Sequence, residues 1–442
     1  NIEFNCWDYR NFSNILGIYG QNAIGKTSII AALKIVRQFI SGGGMTSGIQ
    51  NYIKKGEDNF SVVISFLLTG CTHTVLLDYK LELKKNQNSI FIDNESLHSY
   101  ESSEDKYKLG DRQCLFSYSS KNGLKDNFLS KFTAKDKKTI LSYLVSQKTN
   151  IPFNSSSIAV LFSSLFNDET IKIISDENNF HETSEILSAL IDFCKNKFLI
   201  VTTNLFDDIN ERGVGVNGFD FDENQDRIHK NFAILFGKQT LEEDKYNDFL
   251  KMLDASGKVL NTLVPGLTIA PKVFDQTINA NGKKSIVFEV MSIHDDKEIP
   301  LFFESRGVKQ MLTYVGDLIG VFNEEGTFIA IDELDSGVFE YLLGELVYSF
   351  DNFSLGQLLF TSHNFRILEK IKSNEIFFTT TNDKNKFVQP KYIKNNNNLR
   401  DVYYRLIVQG GDEDSFYNKT SSTDISKTLS SLGKATKWNA VY

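Results

Sequence analysis

The stretch Gly20-Gln21-Asn22-Ala23-Ile24-Gly25-Lys26-Thr27, followed by Ser28, has the spacing G-x-x-x-x-G-K-[ST]. A phosphate group needs many hydrogen-bond donors within a small concave space, and backbone N–H groups supply them only where side chains stay out of the way. Gly20 and Gly25 are expected to leave that room. Ile15-Leu-Gly-Ile-Tyr19 before the loop reads as a short buried strand, and Ile29, Ile30, Leu33, Val36, Phe39 and Ile40 after it fall at helical spacing. A strand, loop and helix in that order direct the free N–H groups and positive end of the helix at the anion. In this setting Lys26 reaches the β- and γ-phosphates of a nucleoside triphosphate and the Thr27 hydroxyl ligates Mg²⁺. The plainer alternative is a glycine turn joining a strand to a helix.

The chain of 442 residues exceeds what one hydrophobic core usually organises, about 250 to 300 residues, so a nucleotide-binding body carrying an insertion is expected. Apolar residues at 41% and charged residues at 24% match an ordinary globular protein rather than a disordered one. Cys6, Cys71, Cys114 and Cys194 are scattered, without a C-x-x-C pair, and read as reduced, mostly buried thiols of a cytoplasmic protein. No run is long and apolar enough to span a bilayer, and Asn1-Ile-Glu-Phe-Asn5 has neither the basic nor the apolar part of a signal peptide. A membrane partner is not expected. The chain opens on Asn1 rather than Met, which leaves room for residues before it. A net charge of −8 argues against coating DNA by bulk electrostatics. The lysines from Lys121 to Lys148 form a local basic segment, for which a solvated helix face is the alternative.

Strands rich in β-branched and aromatic residues follow the loop and its helix, at Phe60 to Phe66, His73 to Leu83 and Ser89 to Asp93. They imply an antiparallel sheet, which either walls the base and ribose side of a nucleotide or simply packs. Between about Lys121 and Lys258 the periodicity turns helical, interrupted by one proline, Pro152. Strand character returns at Leu267 to Ala270, Ser285 to Val290 and Pro300 to Phe303, and a helix follows with Val308, Met311, Leu312, Val315, Leu318, Ile319 and Phe322 on one stripe. Ser305 stands at its N-cap position, a commonplace arrangement by itself.

Thr327-Phe-Ile-Ala-Ile331 reads as a central parallel strand ending in Asp332-Glu333, where carboxylates face the ligand crevice of an open α/β sheet. There Asp332 can hold Mg²⁺ through water and Glu333 can polarise an attacking water; an acidic pair opening a surface loop is the alternative. A helix near Phe339 to Phe350 and a strand at Gln357 to Ser362 complete a crossover that ends in His363, a candidate γ-phosphate sensor. Ile376 to Phe378, Phe387-Val388 and Tyr392-Ile393 read as finishing strands, and the Ser-, Thr-, Asp- and Lys-rich stretch from Gly410 to Tyr442 as a partly ordered tail.

Taken together, the phosphate loop, Glu304-Ser-Arg-Gly-Val-Lys309, Asp332-Glu333, Asp335-Ser-Gly337 and Thr361-Ser-His-Asn364 resemble the ABC-type ATPase head of the SMC, RecF and OLD branch. More narrowly, with Asn397-Asn-Leu-Arg-Asp-Val-Tyr403, they resemble bacterial AAA-family ATPases of phage defence and abortive infection. The motif-bearing ends cover about half of the chain. The resemblance implies an α/β fold: an ABC-type P-loop head with a mixed sheet and flanking helices, an antiparallel β subdomain and a helical insertion. The corresponding divisions are 1–120 for the first part of the head, 121–264 for the insertion, 265–410 for the second part and 411–442 for the tail.

The resemblance further implies a head-to-tail homodimer, or a higher oligomer built from it, with two ATP molecules sandwiched between the heads. Ser305 and Gly307 of one copy then contact the γ-phosphate held by the other, and Asp335 communicates across the interface. This sequence departs from the family pattern at Ala23 and Ile24, which replace Gly and Ser, so that Ile24 is expected to slow turnover. Arg306 stands where the signature has Gly and would add a charge at the γ-phosphate or a dimer contact. The glutamine of the Q-loop is not located. Neither a long coiled coil nor a nuclease-type acidic cluster after His363 is present, so a nuclease or toxin effector is expected on a separate chain.

The reading that follows is a slowly hydrolysing, Mg²⁺-dependent ATPase gating that effector in antiphage defence. Two alternatives remain: a DNA-repair ATPase of the RecF or SMC type touching nucleic acid, and a nucleotide-glued scaffold with little hydrolysis.

Overall fold

The computed structural model describes residues 13–21, 24–41, 49, 53, 56–68, 75–86, 89–102, 109–124, 178–202, 213–221, 227–278, 282–295, 297–336, 338–382, 385–390, 398–409, 416 and 421–435. Asn22, Ala23, Cys6, Cys71, Pro152, Gly337, the strand at Tyr392-Ile393 and the basic segment from Lys125 to Lys148 lie outside the described residues.

In chain order the elements are β1 (Ile15–Tyr19), α1 (Lys26–Ile40), β2 (Asn59–Leu68), β3 (Val75–Asn86), β4 (Ser89–Ser102), β5 (Leu109–Ser119), β6 (Gly123–Leu124), α2 (Asn178–Asp192), β7 (Phe198–Val201), β8 (Gly213–Phe221), β9 (Arg227–Leu235), β10 (Gln239–Glu242) and α3 (Glu243–Leu263). They continue with β11 (Leu267–Ile278), β12 (Lys284–His294), β13 (Lys297–Pro300), α4 (Arg306–Asn323), β14 (Phe328–Ile331), α5 (Glu340–Phe353), β15 (Gln357–Ser362), β16 (Ile376–Thr379), β17 (Phe387–Val388), α6 (Leu399–Gln409) and α7 (Ser422–Ala435). The fold is α/β, with parallel pairing and antiparallel sheets combined with helices. Among the described residues no helix is long and apolar enough to cross a membrane.

The chain forms two compact units: Asn1–Lys26, Glu333–Asn352 and Leu359–Tyr442 in one, Thr27–Asp332 and Phe353–Leu358 in the other. In the first, β17, β16, β1 and β15 lie side by side in that order, with β16 parallel to β1 in the register Gly17↔Ile376 and Tyr19↔Phe378. All five residues of β1 are buried, which is why its sequence is a continuous apolar run rather than an alternating one. Tyr19 sits edge-on to Phe360 and to Tyr403 of α6, each at 6.3 Å, and Tyr403 stacks on Phe378 at 4.6 Å. Burial pushes the Tyr403 phenol up to about 12. Helix α5 buries Leu343, Gly344, Val347 and Phe350, the i, i+4, i+7 stripe of an amphipathic helix.

In the second unit β7 pairs parallel with β14, Phe198 opposite Phe328 and Val201 opposite Ile331. Phe66, Phe193, Phe198 and Phe328 form a chain of ring contacts of 5.1–6.2 Å. The sheet β2-β3-β4-β5-β6 is antiparallel throughout, and β3 buries Val75, Leu77, Tyr79, Leu81 and Leu83 at the period of two that gives a strand one apolar face. A second antiparallel group places β12 between β10 and β11, with β13 also on β12, while β8 and β9 make a hairpin. The strand character expected through Phe303 stops at Pro300, and Leu301–Phe303 forms a 3₁₀ turn that leads into α4.

The described part of 121–264 is not uniformly helical. Between helices α2 and α3 lie the four strands β7, β8, β9 and β10, and the Phe-Leu-Ile-Val run of β7 is a buried strand. Of the thiols expected to be mostly buried, Cys194 is buried and is pushed up to about 12 by burial, whereas Cys114 is exposed. The tail contains α7, whose residues Ser422–Ser431 are exposed.

Gly356 is fixed by close approach: a Cβ there would lie 2.3 Å from Thr327 Oγ1 and 2.5 Å from the Val321 carbonyl, to which the Gly356 N–H donates at 2.9 Å. Because one of those neighbours is backbone, it cannot rotate aside. Gly356→Ala is expected to destabilise the fold by about 2 kcal/mol, read as a lower denaturant midpoint; an unchanged midpoint would disprove the packing account.

Candidate functional site

The loop after β1 is built around the ammonium of Lys26. Lys26 is 6% exposed, and its Nζ donates to the carbonyls of Gly20 (2.9 Å) and Gln21 (3.0 Å), so the loop curls back over the first residue of α1. Gly25 has φ +112°, a backbone conformation that favours glycine. Gly20 answers to a different constraint from the one expected. A Cβ there would lie 1.5 Å from Thr379 Oγ1 at the end of β16, so what its missing side chain makes room for is the neighbouring strand. Ile24 is half-buried, and Thr27 and Ser28 are exposed at the start of α1. With no acidic residue in its own first turn, α1 presents its N-terminal N–H groups without an internal carboxylate to occupy them.

Within the second unit, Thr27 Oγ1 donates to Asp332 Oδ1 at 3.3 Å, joining residues 305 positions apart. Asp332 is 1% exposed, and its N–H donates to the Val201 carbonyl at 2.9 Å, which anchors the end of β14 to β7. A hydroxyl beside a buried carboxylate is the donor set a hard cation takes, so this pair fits Mg²⁺. Among the described residues no group of three or more His, Cys, Asp or Glu side chains forms a metal cage.

Within the first unit, Glu333 is exposed and has φ +54°, in the left-handed region that costs a non-glycine residue about 1–2 kcal/mol. Thr361 holds it there: its Oγ1 accepts the Glu333 N–H at 2.8 Å and its carbonyl accepts the Leu334 N–H at 3.0 Å. The same turn places the Asp335 carboxylate so that Oδ2 accepts the His363 N–H at 3.0 Å. Asp335 and His363 therefore belong to one hydrogen-bonded corner, with the His363 side chain exposed. Thr361 had no role assigned from the sequence; its signal was the Thr-Ser-His-Asn string, in which only His363 was given one.

Ser305 caps α4: its backbone has φ −59° and ψ 151°, and its Oγ accepts the Val308 N–H at 3.2 Å. Ser305 and Arg306 are exposed and Gly307 is buried in the first turn. Behind the cap, Glu304 accepts from the Ser305 N–H at 3.1 Å, from His294 Nε2 at 2.6 Å and from the Ser292 hydroxyl. Burial raises the Glu304 carboxyl, but these donors outweigh it and hold the group below its ordinary value.

Residues 15–369 match the family described as "AAA domain, putative AbiEii toxin, Type IV TA system". No curated protein matches the chain. Among solved structures, the chain is similar to the Smc head domain with an extended coiled coil bound to the C-terminal domain of ScpA from Pyrococcus furiosus, at 13% identity over 85% of this chain and 90% of that one, with a TM-score of 0.34. It is also similar to an SmcHead bound to the C-winged helix domain of ScpA, at 14% identity over 85% and 89% of the two chains, with a TM-score of 0.35.

Proposed function

From the premise that the chain belongs to this AAA-domain family, we propose that it is an ATP-binding, slowly ATP-hydrolysing head that closes on a second copy of itself and gates a separate effector, a nuclease or toxin, in antiphage defence. The observation that carries the reading is the 3.3 Å bond between Thr27 and Asp332, which joins the residue after the loop lysine to the end of a buried parallel strand. The family's description, which names a putative AbiEii toxin of a Type IV TA system, supports a role in a system of that kind.

In this reading the backbone N–H groups of Gly20 to Thr27, with Ser28 at the start of α1, cradle the phosphates, and Lys26 turns its ammonium from the loop carbonyls to the β- and γ-phosphates. Bound Mg²⁺ supplies neutralising charge on those phosphates, and Thr27 and Asp332 are the residues that hold it. Glu333, the residue after Asp332, orients the attacking water and takes its proton, and His363 reports the γ-phosphate to Asp335. Ser305, Arg306 and Gly307 of the second copy approach that phosphate from the other side, adding a hydroxyl donor, a cation and a close backbone. Ile24 keeps turnover slow, residues 121–264 supply the partner-specific part, and the cytoplasm is the compartment.

Dimer closure is tested by light scattering on purified Glu333→Gln protein. A doubling of mass on adding Mg·ATP is expected, and a monomeric mass both without nucleotide and with Mg·ATP would overturn closure as the switch.

A further inference from the structure

Resting on the reading of Ser305 above, we propose that Glu304, braced by Ser292 and His294 of β12, is a positioning residue that sets the Ser305 hydroxyl for contact with a phosphate. Glu304 is the residue before the cap, its side chain is 7% exposed, and both of its carboxylate oxygens are engaged by donors. Oε1 faces β12, where Ser292 is fully buried and the strand is paired on both sides, Ser292 with Ile269 of β11 and with Ile299 of β13, so that anchor is rigid. Oε2 faces the Ser305 N–H, and that bond fixes the backbone of Ser305 in the conformation a cap requires.

The consequence is a matter of donors and acceptors. The Ser305 Oγ already accepts the Val308 N–H, and its N–H is taken by Glu304, which leaves the hydroxyl hydrogen to donate outward from an exposed position. A carboxylate is needed because every neighbour of Glu304 is a donor. Held ionised, it obliges His294 Nε2 to carry its hydrogen toward Oε1. An amide in its place would satisfy β12 with its oxygen and turn an NH₂ against the Ser305 N–H, two donors face to face.

The test measures steady-state ATP turnover and nucleotide affinity for Glu304→Gln, Ser305→Ala and the double variant. Glu304→Gln is expected to lower kcat by about tenfold while ATP affinity stays within about twofold of wild type. The double variant should turn over ATP as slowly as Ser305→Ala and no slower, because Glu304 acts only through Ser305. Losses in the two single variants that multiply in the double variant would overturn the clamp, as would wild-type turnover in Glu304→Gln. Wild-type turnover in Ser305→Ala would overturn instead the reading of Ser305 on which the clamp rests. His294 gives a second route should Glu304→Gln not fold: His294→Ala is expected to slow turnover and His294→Gln, which keeps a donor, to restore it. Equal kcat in those two variants would count against the proposal.

Discussion

Lys26→Ala is expected to abolish ATP binding at micromolar nucleotide. The Lys26 side chain is almost fully buried, and its ammonium is held by two carbonyls of the very loop whose N–H groups are expected to face phosphate. In the proposed nucleotide-bound state the same ammonium would exchange those neutral acceptors for two phosphate groups, a charge-assisted contact. Losing it should weaken affinity about a hundredfold or more, since hydrogen bonds to charged groups contribute about 1.5–3 kcal/mol each. Because the variant also leaves the Gly20 and Gln21 carbonyls without their donor, its thermal midpoint should be measured alongside, so that lost binding is not confused with lost fold. A folded Lys26→Ala protein that binds ATP within threefold of wild type would remove the loop from the account.

The second large effect is expected at Glu333. Glu333→Gln should retain ATP and lower the rate of phosphate release by about 10²- to 10⁴-fold, the range for losing a positioned general base. The backbone makes this prediction sharper than a motif alone allows. Glu333 occupies left-handed φ and is secured by Thr361 on both its own N–H and that of Leu334, so the fold spends conformational energy at this one residue. Glu333→Gly should therefore raise stability by about 1 kcal/mol, through relief of that strain, while turnover is lost. Turnover in Glu333→Gln equal to wild type would refute the assignment of the base, and a Glu333→Gly protein no more stable than wild type would refute the strain.

The local structure of the candidate site was legible where local sequence carries the physics. A buried run such as Ile15 to Tyr19 or Ile329 to Ile331 has little choice but to be an interior strand, and a glycine-lysine-threonine string opening an apolar-periodic helix specifies its own turn. The cap at Ser305 was readable for the same reason. What escaped was set by partners on neighbouring elements: Thr379 behind Gly20, Thr361 under Glu333, and Ser292 and His294 around Glu304. None of these has a spacing rule, because the sheet rather than the sequence brings them together. The strands of 121–264 escaped for another reason. Four apolar residues such as Phe198 to Val201 fit a buried helix turn as well as a strand, and only the pairing with β14 decides between them. In β5, the Asp-Arg-Gln stretch at 111–113 breaks the alternation, so it gave no strand signal before its pairing with β4 was seen.

The central claim is that Thr27 and Asp332 serve one Mg²⁺ on one nucleotide. The gain in ATP affinity on adding Mg²⁺, measured by calorimetry for wild type, Thr27→Ala, Asp332→Asn and the double variant, tests it most directly. The account predicts that either single substitution removes that gain and that the double variant loses nothing further, since the two groups act on the same ion. Losses that simply add in free energy, or a gain that survives Asp332→Asn, would contradict it.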